Sequence, residues 1–172
     1  MVKKRNTLSV SKVTFLGLFT ALAMILSFVE TLFPPITTAF PGIKMGLPNI
    51  AIMFILYRIG WREAALVSVV RVILVSILFG NVQSMWYSLA GAVLSITAMI
   101  LMKKFTTFSH PSISVVGGVF HNVGQILVAF LVTETAQIVY YLPVLLVSGC
   151  ASGILVGLAA GLLEKRVTKI KF

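Results

Sequence analysis

Residues 113–132 read ISVVGGVFHNVGQILVAFLV, a run of 20 residues that contains no Asp, Glu, Lys or Arg. An α-helix rises about 1.5 Å per residue, so this run reaches about 30 Å, the thickness of the hydrocarbon core of a bilayer. An uncharged apolar run of this length is typical of a helix that crosses a membrane. The stretch therefore predicts a membrane-spanning helix.

The whole chain has the composition of a polytopic membrane protein. Of its 172 residues, 59% are hydrophobic and 10% are charged, whereas an average soluble domain is about 25% charged. So few charges cannot cover a soluble surface of this size. The composition excludes an ordinary cytosolic enzyme, a disordered chain and a secreted disulfide scaffold. Cys150 is the single cysteine, so no disulfide framework or thiolate metal site can form within the chain.

Breaks at proline, glycine and charged residues divide the chain into six apolar segments. We predict one integral membrane domain over residues 1–172, an all-α bundle of six transmembrane helices at about 11–33, 48–59, 63–79, 83–102, 113–132 and 137–164. The second helix is short, since a spanning helix needs about 20 residues. Pro143 marks a point at which the last helix can be interrupted.

The basic residues give this bundle an orientation. The net charge is +10, from 14 Lys and Arg against 4 acidic residues, none of them Asp. In a six-helix topology one side holds twelve of the bases: Lys3, Lys4, Arg5, Lys12, Arg58, Arg62, Lys103, Lys104, Lys165, Arg166, Lys169 and Lys171. The positive-inside rule then predicts a multi-pass protein of a bacterial cell membrane, with cytoplasmic termini and basic residues in contact with anionic lipid. No nucleic-acid partner is expected, because a nucleic-acid patch would not alternate with hydrophobic spans.

The N-terminal segment has a second interpretation. Lys3, Lys4 and Arg5 followed by an apolar run would also begin a secretory signal peptide. The run over 13–29 is longer than a typical hydrophobic region of about 7–15 residues, and no convincing cleavage site follows it. We therefore assign the segment to the first membrane helix.

The acidic residues argue against catalysis. Four different segments hold the acids Glu30, Glu63, Glu134 and Glu164, whereas Mg²⁺-diphosphate chemistry needs several convergent carboxylates. His110 and His121 are too far apart in sequence to suggest a metal site. The chain has no GxxxxGK[ST] phosphate loop and should not bind ATP in that way. We predict a protein that is not an enzyme and has no metal or cofactor.

Two helices carry small-residue faces, which let helices approach each other closely in lipid. The last helix repeats glycine at Gly149, Gly153, Gly157 and Gly161. The first helix has Gly17 and Ala21 at the same four-residue spacing. The sequence leaves open whether such a face meets another helix of this chain or another protein. Because the bundle is small, we expect one of the two faces to be available for contact with a partner.

The remaining notable base, Arg71, falls near the middle of the third helix. A central Arg costs at least about 2.5–3.5 kcal/mol on insertion scales, and it usually lines an interior or a ligand path. The fifth helix carries His121, Asn122 and Gln125 at a similar depth, so we expect a polar layer between these two helices. Two interpretations stay open. In the first, Arg71 is structural and donates hydrogen bonds to carbonyls and to Asn122 or Gln125. In the second, Arg71 binds an anionic group of a substrate.

A second polar group is predicted towards the outer side of the bundle: Glu30, Lys44, Asn49 and Asn81. The segment 34–46, rich in Pro, Gly and Thr, is expected to form a lid over the bundle mouth. Lys44 also has a simpler explanation, as a solvated loop charge. A pocket that opens outward suits uptake better than catalysis, so we take both polar groups as candidate substrate-binding residues.

Several ordered motifs give the chain a family resemblance. They are 40–50 (FPGIKMGLPNI), 60–64 (GWREA), 78–81 (LFGN, after Arg71), 87–91 (YSLAG) and 120–125 (FHNVGQ). Over about residues 15–163 the chain resembles the Gx transporter family, which also carries the name heptaprenyl diphosphate synthase component I. Pro48 is a minor departure, because the family pattern more often has Ala there.

That family in turn resembles the substrate-binding S-components of energy-coupling factor (ECF) vitamin transporters. The resemblance implies six helices with cytoplasmic termini, capture of a substrate from outside, and ATP hydrolysis by separate subunits. It also implies that small residues on the first helix face a transmembrane coupling subunit, a feature that Gly17 and Ala21 match only loosely.

Three hypotheses follow for function. The first is a substrate-binding subunit that takes up a small cofactor-, vitamin- or prenyl/quinone-related solute. The second is a membrane accessory component of heptaprenyl diphosphate synthase in menaquinone and isoprenoid synthesis, whose partner would be a catalytic prenyl synthase subunit. The chain has no Asp, so it cannot itself supply the aspartate-rich Mg²⁺ motifs of such an enzyme. The third is a structural scaffold without a ligand, for which the interior around Arg71 would be packed solid.

Overall fold

A computed structural model describes residues 10–32 and 45–167 of the chain. Within these ranges the regular structure is helical throughout, which confirms the all-α prediction. The elements are α1 (Val10–Leu32), α2 (Asn49–Arg58), α3 (Trp61–Phe79), α4 (Val82–Phe105), α5 (His110–Thr133), a 3₁₀ helix (Ala136–Tyr141) and α6 (Leu142–Arg166).

Most of the predicted boundaries lie within a few residues of the observed ones. The helix α5 begins three residues earlier than predicted, because Pro111 sits in its first turn, where a missing N–H is tolerated. The predicted last helix is divided in two. A 3₁₀ turn ends at Tyr141, and α6 starts at Leu142 with Pro143 in its first turn.

Four helical stretches are long and apolar enough to cross a membrane: α1, α4, α5 and the stretch Gln137–Arg166. The other two helices differ in kind. The 19 residues of α3 include Arg62, Glu63 and Arg71, and the 10 residues of α2 reach only about 15 Å. The structure thus supports a membrane-embedded protein, while the six-span topology and the side of the termini stay predictions.

The short helix α2 forms the centre of the core. Its six consecutive residues from Ala51 to Leu56 are each at most 1% exposed, so α2 is buried on every side. Phe54 stacks on Phe19 of α1, with ring centroids 4.8 Å apart. A helix enclosed by protein does not have to match the bilayer thickness, which explains why α2 can be short.

Glycines bring α5 into backbone contact with both of its neighbours. A Cβ on Gly118 of α5 would lie 2.3 Å from the carbonyl oxygen of Gly149 in α6. On the other side of α5, a Cβ on Gly124 would lie 2.7 Å from the carbonyl oxygen of Ala90 in α4. The α4–α5–α6 layer therefore has no room for side chains at these crossings.

The glycine face of α6 is consequently occupied within the chain. Gly153 meets the backbone of Val115, Gly157 meets the backbone of Pro111, and Gly161 lies at ordinary contact distance from His110. Gly17 on α1 is different, because a Cβ added there would have nothing within 4 Å among the described residues. The structure thus answers for α6 the question that the sequence left open.

Charged side chains join the helices at one end of the bundle, which we call the basic end: the starts of α1, α3 and α5 and the ends of α2, α4 and α6. Lys12 of α1 pairs with Glu63 of α3. Nζ of Lys103 donates to the carbonyl oxygen of Leu56 at 2.6 Å. Lys12 and Lys103, two of the bases predicted to share one side, therefore lie at the same end of the bundle.

A second group at the basic end joins α5 to α2 and α6. Nε2 of His110 lies 2.6 Å from Oε2 of Glu164. The imidazole of His110 also stacks on the ring of Tyr57, with centroids 3.9 Å apart. Sequence reasoning considered His110 only as a metal ligand and missed this contact, because its partner Glu164 is 54 residues away in the chain.

Candidate functional site

A cavity of about 120 Å³ lies among the helices. Six of the eight predicted substrate-binding residues line it: Glu30, Asn49, Arg71, His121, Asn122 and Gln125. These six residues come from four different helices, and they lie away from the basic end. The interior around Arg71 is therefore not packed solid, which counts against a scaffold without a ligand.

Arg71 projects from the middle of α3 into this pocket and is 9% exposed. Its Nη2 donates to Oδ1 of Asn49 across 3.4 Å, which is long for a hydrogen bond. Its Nε is buried and has no hydrogen-bond partner among the described residues. A guanidinium group has five N–H donors and no acceptor, so this side chain is far from saturated.

Glu30 reaches the pocket from the last turns of α1. Its Oε1 accepts a hydrogen bond of 2.6 Å from the backbone N–H of Gly46. Gly46 has a positive φ of 72°, a conformation that glycine adopts without the strain a side chain would add. Gly46 also begins the turn that leads into α2, since its carbonyl accepts from the N–H of Asn49. This turn therefore sets the positions of both Glu30 and Asn49.

The helix α5 supplies three amide or imidazole side chains to the pocket. Nδ2 of Asn122 donates to the carbonyl oxygen of Leu145 at 2.5 Å, which joins α5 to α6. The ring of His121 lies against α4, where a Cβ on Gly91 would come within 2.9 Å of it. Gln125 lines the pocket one turn further along α5.

One of the two open interpretations of Arg71 included a hydrogen bond to Asn122 or Gln125, and the described residues do not show that bond. Arg71 donates to Asn49 of α2 instead, and Asn122 donates to α6. The predicted polar layer of α3 and α5 is therefore a shared pocket wall rather than a directly bonded pair of helices. Sequence reasoning placed Arg71 and Asn49 in separate groups because their helices were considered one at a time.

One predicted site residue, Asn81, is not among the described residues that line the pocket. Asn81 caps α4: its side chain accepts from the N–H of Ser84 at 2.7 Å, and the Ser84 hydroxyl reaches back to the N–H of Asn81. It does not line the pocket, so we remove it from the candidate site. Lys44, with nearly all of the predicted lid over 34–46, lies outside the described residues.

Sequence reasoning missed the serines of the pocket wall. They are Ser27, Ser76, Ser88 and Ser152. A smaller cavity of about 20 Å³ continues from the same wall, because it shares Asn49 and Ser152 and adds Ser95 and Ser114. Single serines in apolar helices give little signal in one sequence, since many of them bond to their own helix, as Ser152 does to Gly149.

Polar and charged groups line this pocket. Its walls carry one guanidinium, one carboxylate, amides, an imidazole and hydroxyls. Within residues 10–32 and 45–167, no three His, Cys, Asp or Glu side chains come together as a metal site would need. Glu30 is the acidic residue among the described pocket-lining side chains.

A protein-family model identifies the relatives of this chain. The model for heptaprenyl diphosphate synthase component I matches residues 19–163. The chain belongs to this family. The matched range contains every residue that lines the pocket, from Ser27 to Ser152, whereas Gly17 lies just before it. A comparison with curated proteins finds none that matches the chain.

Membership in the component I family bears on two earlier predictions. A component I is an accessory subunit, which is consistent with a chain that is not itself catalytic. The family description also implies a catalytic synthase subunit as a partner. The description names an assembly and not a ligand.

Proposed function

We propose that this chain is a membrane-embedded binding protein that holds a small polar solute in the pocket at Arg71. The observation that carries the proposal is a buried guanidinium whose Nε has no hydrogen-bond partner among the described residues and which lines a cavity. A buried charge is expensive unless it is paired, and Arg inside a membrane protein commonly marks a ligand path. An anionic group of the solute would supply the missing acceptor.

As first candidate we propose uptake, with the chain as the substrate-binding subunit of a transporter like those built on ECF S-components. The charged contacts at the basic end support this, because they hold the helices together at that end. The positive-inside rule predicts that this end is cytoplasmic. The pocket lies towards the other side. The chain would sit in the bacterial cell membrane and depend on separate transmembrane and ATPase subunits.

The proposed solute is small. A cavity of about 120 Å³ is below the range of roughly 300–1,000 Å³ that is typical for drug-sized ligands. A cofactor precursor or the polar head of a larger molecule fits this size better than a whole prenyl chain. Pocket closure by the segment 34–46 stays part of the proposal.

The experiment is to identify what the pocket retains. The full chain is purified in mild detergent, and small molecules released on denaturation are identified by mass spectrometry. We expect one solute at near-stoichiometric amounts, which is lost from Arg71→Gln and kept by the matched control Arg62→Gln at the basic end. Equal retention by the two variants would remove Arg71 from the site, and no retained or added solute for any variant would count against a binding function.

The family match favours a second candidate, a non-catalytic membrane component of heptaprenyl diphosphate synthase. The family description supports this candidate more directly than it supports uptake. Isolation of the tagged chain from its own membranes distinguishes the two. Recovery of an Asp-rich prenyl synthase supports the synthase component, whereas recovery of coupling ATPases supports uptake.

The exposed face of α1 offers a test of where such a partner sits. Gly17 and Ala21 are exposed, and no described residue comes within 4 Å of a Cβ added at Gly17. Gly17→Leu with Ala21→Leu should release the partner without loss of stability. Ala151→Leu is the matched control, because Ala151 is a small exposed residue on α6. If both variants retain the partner equally, the α1 face is not the contact.

A further inference from the structure

The guanidinium of Arg71 has one edge whose donors are poorly satisfied. The N–H of Nε and one N–H of Nη2 lie side by side on that edge, because the group is planar and rigid. Nε is buried and has no hydrogen-bond partner among the described residues, and the bond from Nη2 to Oδ1 of Asn49 is long, at 3.4 Å. Since Arg71 lines the cavity, a molecule bound there would lie beside two N–H donors.

Two parallel N–H donors match the two oxygens of a carboxylate. Both bonds of such a side-on pair are charge-assisted, which makes them about twice as strong as bonds between neutral groups. A carboxylate brings one negative charge, and among the described lining residues Arg71 is the single permanent cation. A phosphate group brings close to two negative charges at neutral pH and calls for further cations. The donors and the charge of Arg71 therefore favour a carboxylate.

The carboxylate of Glu30 in the same pocket takes no part in this assignment. Its Oε1 accepts from the N–H of Gly46 at 2.6 Å, and the residue has a further interaction within the protein. Glu30 thus serves to hold the turn that leads into α2. The charge of the ligand is inferred from Arg71.

The rest of the pocket wall is polar for so apolar a chain. Hydrophobic residues make up 59% of the sequence, whereas apolar side chains in the described lining come from Pro48, Val72 and Val75. The other lining side chains include hydroxyls, an imidazole and amides, such as those of Ser88 and Gln125. A hydrocarbon ligand would take water from these groups without replacing its hydrogen bonds, which costs free energy. A ligand with polar groups of its own avoids that cost.

We propose that the pocket selects a small hydrophilic carboxylate, whose two oxygens bind the edge of Arg71 formed by Nε and Nη2 and whose hydroxyl or amide groups bond to the polar wall. This inference rests on the proposed binding function and names the substrate class of the same site. The volume of about 120 Å³ limits the ligand to a compact acid or the compact acidic part of a larger molecule. A prenyl or quinone tail fits neither this volume nor this wall.

The test measures thermal stabilisation of the full chain in mild detergent by two matched series of probes. In the first series propionate, lactate and glycerate share three carbons and a carboxylate and differ in the number of hydroxyls. In the second series propionate, ethylphosphonate and ethanesulfonate share the ethyl group and differ in the anionic group. Inorganic diphosphate is included because a site for an isoprenoid diphosphate would prefer it.

The two series test the two parts of the ligand separately. We expect lactate or glycerate to stabilise the protein at a concentration about tenfold lower than propionate, because hydroxyls satisfy the polar wall. Propionate should act at a lower concentration than ethylphosphonate or ethanesulfonate, because its two oxygens match the edge of Arg71. Diphosphate should be no better than propionate.

Variants assign the two preferences to residues. Arg71→Lys keeps a positive charge and loses the two parallel donors, so the preference for propionate over ethylphosphonate and ethanesulfonate should disappear. Arg62→Lys, at an exposed position of the basic end, is the matched control and should keep it. Gln125→Leu should reduce the advantage of glycerate over propionate and leave the choice of anionic group unchanged. The probe series and Gln125→Leu decide the question if Arg71→Lys fails to fold.

The possible results separate the ligand class from the binding function itself. A preference for phosphonate, sulfonate or diphosphate, no gain from hydroxyls, or a carboxylate preference that survives Arg71→Lys would overturn the assignment while leaving a binding protein. If no probe binds, the solute retained on purification decides: a hydrophilic carboxylate supports the assignment, and a solute without a carboxylate overturns it. Absence of any bound solute or probe overturns both.

Discussion

Arg71 of α3 contacts Asn49 of α2 at the wall of the pocket, with 3.4 Å between Nη2 of Arg71 and Oδ1 of Asn49. The contact joins α3, which holds the buried charge, to the start of α2, whose middle residues are buried. It is too long to account for the cost of burying a guanidinium. The relationship therefore favours a role for Arg71 towards a ligand over a role in holding the helices together.

Replacement of Arg71 by methionine tests this directly. A buried Arg costs at least about 2.5–3.5 kcal/mol on insertion scales, and Met fills a similar volume without the charge. We expect Arg71→Met to melt at the same temperature as the unmodified chain or higher, and to lose its solute. Thermal melting and mass spectrometry of the purified protein measure the two effects. A fall in melting temperature of many degrees would instead make Arg71 a structural residue.

The backbone contact between α5 and α6 predicts a large effect from one added methyl group. A Cβ at Gly118 would lie 2.3 Å from the carbonyl oxygen of Gly149, and the backbone cannot yield as a side-chain end can. Overpacking of this kind costs about 1–3 kcal/mol, so Gly118→Ala should melt well below the unmodified chain.

Gly17→Ala is the matched control for that substitution. The added Cβ would meet no atom of the described residues within 4 Å, and Ala is favoured over Gly in a helix by up to about 1 kcal/mol. Its melting temperature should be unchanged or slightly higher. A loss of stability similar to that of Gly118→Ala would mean that the α1 face is packed against something in the purified protein.

Asn81 is expected to matter for stability and not for binding. Its side chain and that of Ser84 form a capping box at the start of α4. Loss of such a cap costs about 0.5–2 kcal/mol, so Asn81→Ala should lower the melting temperature modestly and leave solute retention intact. If retention falls in a variant that remains folded, Asn81 belongs to the site after all.

The pair His110 and Glu164 should act as a unit at the basic end. Their side chains are 29% and 27% exposed and lie 2.6 Å apart, so a partly exposed pair is expected to couple by about 0.2–1 kcal/mol. A double-mutant cycle with His110→Gln and Glu164→Gln measures the coupling from the unfolding of the four proteins. Strictly additive effects would show that the pair contributes no interaction energy of its own.

The sequence was most informative about properties that depend on neighbours along the chain. Length and the absence of charge over 113–132 predicted a helix, now found as α5 from His110 to Thr133. Glycine spacing predicted close packing, and the position of Arg71 in an apolar helix singled out a residue that lines the pocket. Each of these predictions depends on a local pattern of residues, which can be recognised in a single sequence.

Only the tertiary structure showed which residues contact each other. It placed Asn49 with Arg71, assigned the glycines of α6 to α5 and left Gly17 without a close neighbour among the residues it describes. It also moved Asn81 from the site to a helix cap and gathered four serines into the pocket wall. Several helix pairings satisfy the same small-residue patterns, so local sequence cannot choose among them. Packing of the whole bundle around the buried α2 makes that choice, and it determines which polar groups share a cavity.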